Sequence, residues 1–228
     1  YPAGRYMLIF WNHGGGSTSG VCFDETADYD GLTIHEINDA LYNFTEANPD
    51  FHLDLIGFDA CLMATYEAAA HMQYYADFMV ASEELEPSLG WNYAWLNALG
   101  ENPALDAQGI GVAIADAYME ACLGENPDDY LSMSVLYLPA MDYLVSTMET
   151  YASYLSQALD AGQLSTFSRA RQRMYAFGDF DSATSDMVDM MALIDGTRTI
   201  APQTADVLQT AYERVVRYNV GTRKFDYL

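Results

Sequence analysis

Apolar positions along the chain fall into short continuous runs separated by amphipathic stretches. Tyr6 to Trp11 is a continuous apolar run closed by Asn12-His13-Gly14-Gly15-Gly16, the pattern of a strand buried on both faces. A loop rich in Ser, Thr, Gly and Asp follows to Gly31. Thr33-Ile34-His35-Glu36 has the form of a capping box. It opens a helix with Ile34, Ile37, Leu41 and Phe44 on one face, stopped at Asn48-Pro49. Leu53 to Gly57 predicts a second strand, about Leu62 to Tyr75 a helix, and Phe78 to Ala81 a third strand. An acidic loop, Ser82-Glu83-Glu84-Leu85-Glu86-Pro87, leaves that strand. Strand and helix in alternation predict an α/β fold with a mostly parallel sheet between helices.

The second half reads as more helical. Ala104 to Leu123 has helical spacing, Ser132 to Leu138 is a strand, and Pro139 suits the first position of a helix to about Leu159. Leu164 to Phe177 and Thr204 to Tyr218 read as amphipathic helices carrying most of the cations. With no repeat and no long linker, a single domain is expected over 1–228. The chemistry-bearing motifs lie in 1–93 and the helix-rich remainder in 94–228. Arg223 to Leu228 reads as a strand stopped partway, and the chain opens on Tyr1 with no signal peptide, so a piece of a longer protein is expected.

Charge changes the picture more than composition does. The 228 residues are 51% hydrophobic and 18% charged, a globular mixture, and no apolar run approaches the roughly 20 residues of a membrane span. The formal net charge is −24. Residues 6 to 168 hold 25 Asp and Glu and no Lys or Arg, whereas the other 65 residues hold 8 acids and 9 bases. So acidic a stretch repels phosphate backbones and attracts cations, which argues against nucleic acid as a partner. Most of these carboxylates read as a solvated surface. Three cysteines, with no CxxC pair, exclude a disulfide framework and a structural zinc site.

Candidate chemistry sits at two strand exits, Trp11-Asn12-His13-Gly14-Gly15 and Gly57-Phe58-Asp59-Ala60-Cys61. Ligands of parallel sheets bind beyond the carboxyl ends of the strands. If the two strands are neighbours, His13 faces Cys61, a nucleophile with a proton-transfer partner. Gly14 and Gly15 let their N–H groups approach a substrate carbonyl. A helix opening directly after Cys61 would favour the thiolate. Each residue also has a plain reading: Cys61 as a small buried hydrophobe, His13 as a loop residue or metal ligand. His35, His52 and His71 read as structural, and Cys22 and Cys122 as inert thiols.

These motifs, together with Ala81-Ser-Glu-Glu-Leu-Glu-Pro87 and Gly90-Trp91, resemble the clostripain family of cysteine peptidases, of the same clan as caspases, legumains and gingipains. The likeness runs from about Tyr6 to Tyr93 and is diffuse beyond. It implies a caspase-like three-layer α/β/α sandwich, here lacking the N-terminal strand and helix that usually precede the His segment. It implies a catalytic dyad of His13 and Cys61, and an oxyanion held by the backbone amides of Gly14 and Cys61. It implies endopeptidase cleavage after Arg or Lys, with Asp59 facing the P1 cation. Ser82 and Glu83 leave the next strand beside Cys61 and read either as lining the same pocket or as plain loop. Asp59 can equally cap a turn or helix. Export from a bacterium is what the likeness implies for location.

No cofactor is expected to be required. Some relatives need calcium, and Asp24, Glu25, Asp28 and Asp30 offer hard oxygen ligands, but without EF-hand spacing they read as a solvated loop. Residues 14 to 60 hold no Arg or Lys, so no self-processing at a basic residue is expected there. Ser88-Leu89 departs from the small, Gly-rich residues expected after Pro87. The competing readings are an inactive relative that binds basic peptides, a clan peptidase with a non-basic P1 choice and, more distantly, a zinc hydrolase, for which no HExxH exists.

Overall fold

The computed structural model describes residues 3–178 and 187–222. The expected strand at Arg223 to Leu228 lies outside them. The described chain forms two compact units, one of residues 3–139 and 216–222, the other of 140–178 and 187–215.

The first unit is built on a five-stranded sheet. Met7–Trp11 (β1) is followed by a short helix at Gly16–Ser19 (α1) and a hairpin of Val21–Asp24 (β2) and Asp30–Leu32 (β3). Ile34–Ala47 (α2) leads to Leu53–Asp59 (β4), Tyr66–Met72 (α3) and Ala76–Ala81 (β5). Leu96–Glu101 (α4), Ala107–Glu125 (α5) and Ser132–Tyr137 (β6) follow. The sheet order is β1-β4-β5-β6 and then β7, which is Val216–Gly221. Strands β1, β4 and β5 pair in parallel, and both pairings of β6 are antiparallel, so every strand but β6 points the same way.

Side-chain alternation loads both faces. Leu55, Val80 and Val135 meet Ile110, Ile114 and Tyr118 of α5 on one face. Ile56, Phe58 and Met79, equally buried, point to the other. Right-handed crossovers from β1 to β4 and from β4 to β5 put α2 and α3 together on that second face, where α3 packs on β5. The result is the three-layer α/β/α arrangement. Thr33 caps α2 through the expected box, its Oγ1 accepting from Glu36 N while the Glu36 carboxylate accepts from Thr33 N.

The second unit is helical. Met141–Ala158 (α6) and Leu164–Arg171 (α7) are parted by a turn in which Gly162 takes φ 98°. Met190–Thr197 (α8) and Pro202–Val215 (α9) complete it, with α9 packed on α6 and α8.

Four local expectations need correction. The helix expected over Leu164 to Phe177 ends at Arg171. The loop from 14 to 31 contains α1 and the β2–β3 hairpin. The amphipathic stretch to Tyr218 ends as helix at Val215 and continues as β7, where its β-branched and aromatic residues pair with β6. The helix expected from Leu62 begins at Tyr66 because Leu62 takes φ 66° and Thr65 provides the N-cap, accepting from Ala68 N.

Candidate active site

Register decides which loops meet. Trp11, the last residue of β1, is paired with Asp59, the last of β4. His13 and Cys61 each lie two residues beyond that pair, on strands about 4.8 Å apart. Both line one cleft of about 800 Å³, with Trp11, Asn12, Cys22, Asp24, Glu25, Asp59, Glu86 and Gly90 also in its walls.

The glycine after His13 is required by packing. A Cβ on Gly14 would fall 2.2 Å from the Cys61 carbonyl oxygen and 3.0 Å from its nitrogen. Only a residue without a side chain lets the two backbones run this close. The hairpin holds the segment, since Cys22 N donates to His13 O at 3.0 Å and Gly14 bridges to Val21. Asn12 Oδ1 accepts from His13 N at 2.6 Å. The imidazole bearer is thus fixed through its backbone while its side chain stands exposed.

The thiol of Cys61 is half-buried and held by the acidic loop. Its Sγ accepts from Glu86 N at 3.2 Å and lies 3.7 Å from Glu86 O, to which the S–H can donate. Burial pushes its pKa up, and the amides of Glu86, Cys61 and Gly14 oppose the rise. The helix N-terminus expected behind Cys61 is absent, because residues 62–65 intervene and their amides bond across to Glu84 O and Ser82 O.

Asp59 is 3% exposed and ends β4 with both oxygens engaged. Oδ1 accepts from Trp91 N at 2.9 Å and Oδ2 from Tyr93 O–H at 3.0 Å. Gly90, at φ 62°, gives that approach room, since a Cβ there would be 2.9 Å from Oδ1. Asp59 caps no helix; Thr65 does. Burial raises its pKa against these two bonds.

Ser82 and Glu83 do not line the cleft. Ser82 is buried, its Oγ bonded to Glu84 O and Ser132 Oγ, and Glu83 N donates to Ser132 Oγ. Of the acids in the loop after β5, the one that lines the cleft is Glu86. A carboxylate next to Pro87 in a strand-exit loop was visible, but not which of Glu83, Glu84 and Glu86 turned inward.

In the acidic hairpin, Asp24 orders its own turn. Asp24 Oδ1 accepts from Thr26 N at 2.8 Å and Thr26 Oγ1 at 2.7 Å, a turn bond that lowers its pKa. Among the described residues no three His, Cys, Asp or Glu side chains converge in a metal-binding group. His35 and His71 stack edge to face at 5.0 Å, and His52 pairs with Asp77 at 3.0 Å. Cys122 is buried in the α5 core, while Cys22 lines the cleft.

A mostly parallel three-layer sheet with His and Cys loops side by side at one edge defines a class, and the sequence profile of the clostripain family matches residues 1–227. The chain belongs to the clostripain family. It is 34% identical over 111 residues to clostripain of Hathewaya histolytica, a match covering 41% of this chain and 20% of that protein. Its fold is shared with a secreted C11 cysteine protease of Bacteroides thetaiotaomicron solved with an irreversible peptide inhibitor, at TM-score 0.71 and 20% identity, over 97% of this chain and 59% of that one. An inactive zymogen C11 protease of Parabacteroides distasonis gives TM-score 0.65 and 18% identity, over 97% and 57%. The chain thus spans less than two thirds of each of these relatives. Among the described residues no helix is long and apolar enough to cross a membrane.

Proposed function

We propose that this chain carries the active site of a cysteine endopeptidase that cleaves after Arg or Lys. The observation that carries the reading is the meeting of His13, Gly14 and Cys61 at the carboxyl ends of two adjacent parallel strands, in a cleft walled by carboxylates. His13 takes the Cys61 proton as sulfur attacks the scissile carbonyl carbon. The oxyanion rests on the amides of Gly14 and Cys61, which already face the thiol. His13 then gives its proton to the leaving amine, and the thioester is hydrolysed by a water that His13 deprotonates. Asp59 supplies negative charge to the P1 cation beside the nucleophile. Family membership and the buried Asp59 carboxyl in the cleft support the P1 choice. Export fits the same reading, as one structural relative is described as secreted.

The test is hydrolysis of arginyl, lysyl and neutral reporters by the wild type and by Cys61→Ala. The variant should retain the fold by circular dichroism and lose turnover by at least 10³-fold, roughly the loss known for triad nucleophiles. Unchanged turnover in the variant ends the assignment. Failure of the wild type to become covalently labelled by an arginyl electrophile, with tight binding retained, would leave a peptide-binding relative.

A further inference from the structure

The cleft holds a carboxyl beside the thiol that the mechanism above does not use. The Glu86 carboxyl lines the cleft beside Cys61, yet its Oε2 is closed to solvent and meets no donor. Its Oε1 accepts only a long bond, 3.4 Å, from Trp91 Nε1. The group within hydrogen-bonding reach is the carboxyl of Asp59. Two carboxylates facing each other repel, and they bond only if one carries a proton. Asp59 already accepts from Trp91 N and Tyr93 O–H, and both bonds favour its charged form. The proton therefore belongs on Glu86.

We propose that Glu86 is a second P1-recognition residue, which holds a proton against Asp59 in the empty cleft and releases it when a cationic P1 side chain enters. The inference rests on the P1 reading above and deepens it. Without substrate the pair carries one negative charge and is satisfied by its own hydrogen bond. A guanidinium or ammonium arriving between the carboxyls supplies donors to both, so the proton leaves to solvent and the site becomes a dianion with a cation in it.

The surroundings agree. The titratable groups that face Glu86 are Asp59 on β4, Cys61 beyond it, Tyr93 in the following loop, and Tyr118 and Cys122 on α5. None of these is a base that would neutralise Glu86 in place of substrate. Burial and the Asp59 charge hold its pKa well above the usual carboxylate value.

Proton release makes recognition of the P1 charge depend on pH, with a defined sign. The experiment measures kcat/KM for two peptides identical except for arginine or citrulline at P1, across pH 5 to 9. Citrulline has the shape of arginine without its charge, so the ratio cancels the titrations of His13 and Cys61. In the wild type the arginine-to-citrulline ratio should rise, approaching tenfold per pH unit, through the titration of Glu86. In Glu86→Gln, which keeps a neutral partner for Asp59, the ratio should be flat. A flat wild-type ratio above one, or the same slope in Glu86→Gln, overturns the proposal and leaves the P1 reading standing. A ratio of one at every pH overturns the P1 reading itself. Calorimetry of an arginyl aldehyde in buffers of different ionisation enthalpy gives an arm independent of the variant. One proton released beyond that seen with the citrullinyl aldehyde is expected, and no difference refutes the proposal.

Discussion

Cys61 shows what a single residue owes to its surroundings. Its thiol sits under the loop that carries Glu86 and lacks a helix dipole, so burial raises its pKa. A raised thiol pKa means the thiolate is scarce at neutral pH and grows tenfold per pH unit until the titration is passed. Alkylation of the peptide-free protein at Cys61 by iodoacetamide should therefore be slow at pH 7 and still rising above pH 9, read by peptide mass spectrometry. A rate that levels off below pH 7 would show a preformed thiolate–imidazolium pair. The residue types of this site were legible in the chain, because His before glycines and Cys after an apolar run stand out locally. The protonation state was not, because it depends on Glu86, 25 positions away. The same distance hid the choice among the loop acids, since Ser82 and Glu83 turn to Ser132 on β6 and leave Glu86 to face the cleft.

At the scale of elements, the sheet edge is positioned by how closely α5 sits on it. A Cβ on Gly111 would meet Val135 Cγ1 at 2.8 Å and Val80 Cγ2 at 3.1 Å, so the helix lies nearly in contact with β5 and β6. Gly111→Ala gains helix propensity, about 1 kcal/mol, but overpacks a filled core, which typically costs about 1–3 kcal/mol. The expected net is a lower melting temperature by a few degrees, measured by calorimetry; a more stable variant would show that the helix can lift off freely. The capping box of α2 and the three apolar strands were readable because their signals are local. The late start of α3 was not. Its apolar and alanine-rich composition favours helix from Leu62, but the backbone of 62–65 is drawn into bonds with Ser82 and Glu84, a competition that no local propensity registers. Strand β7 was missed for a related reason. Val216 to Gly221 suits either structure, and the exposed edge of β6 decides in favour of strand.

At the scale of the whole molecule, charge is the dominant property. The net charge is −24, and every residue of the cleft comes from the stretch 6 to 168 that lacks Lys and Arg. Such a field raises the encounter rate of cationic substrates and is screened once the Debye length falls from about 30 Å at 0.01 M salt to about 8 Å at 0.15 M. For a peptide with several cations, kcat/KM should fall several-fold over that range. A peptide with the same P1 and compensating acids should lose little. Equal salt dependence for both would mean that the field plays no part in capture. The sequence alone determined β1, α2, β4, α3 and β5 in their order, the acidity of the chain around them and the residue types at the two strand exits. Those follow from local pattern and composition. Only the tertiary structure decided that His13 and Cys61 line one cleft, that burial raises the Cys61 pKa and that Asp59 and Glu86 share the cleft wall. Each of these is a matter of register and burial, which segments distant in sequence impose on one another.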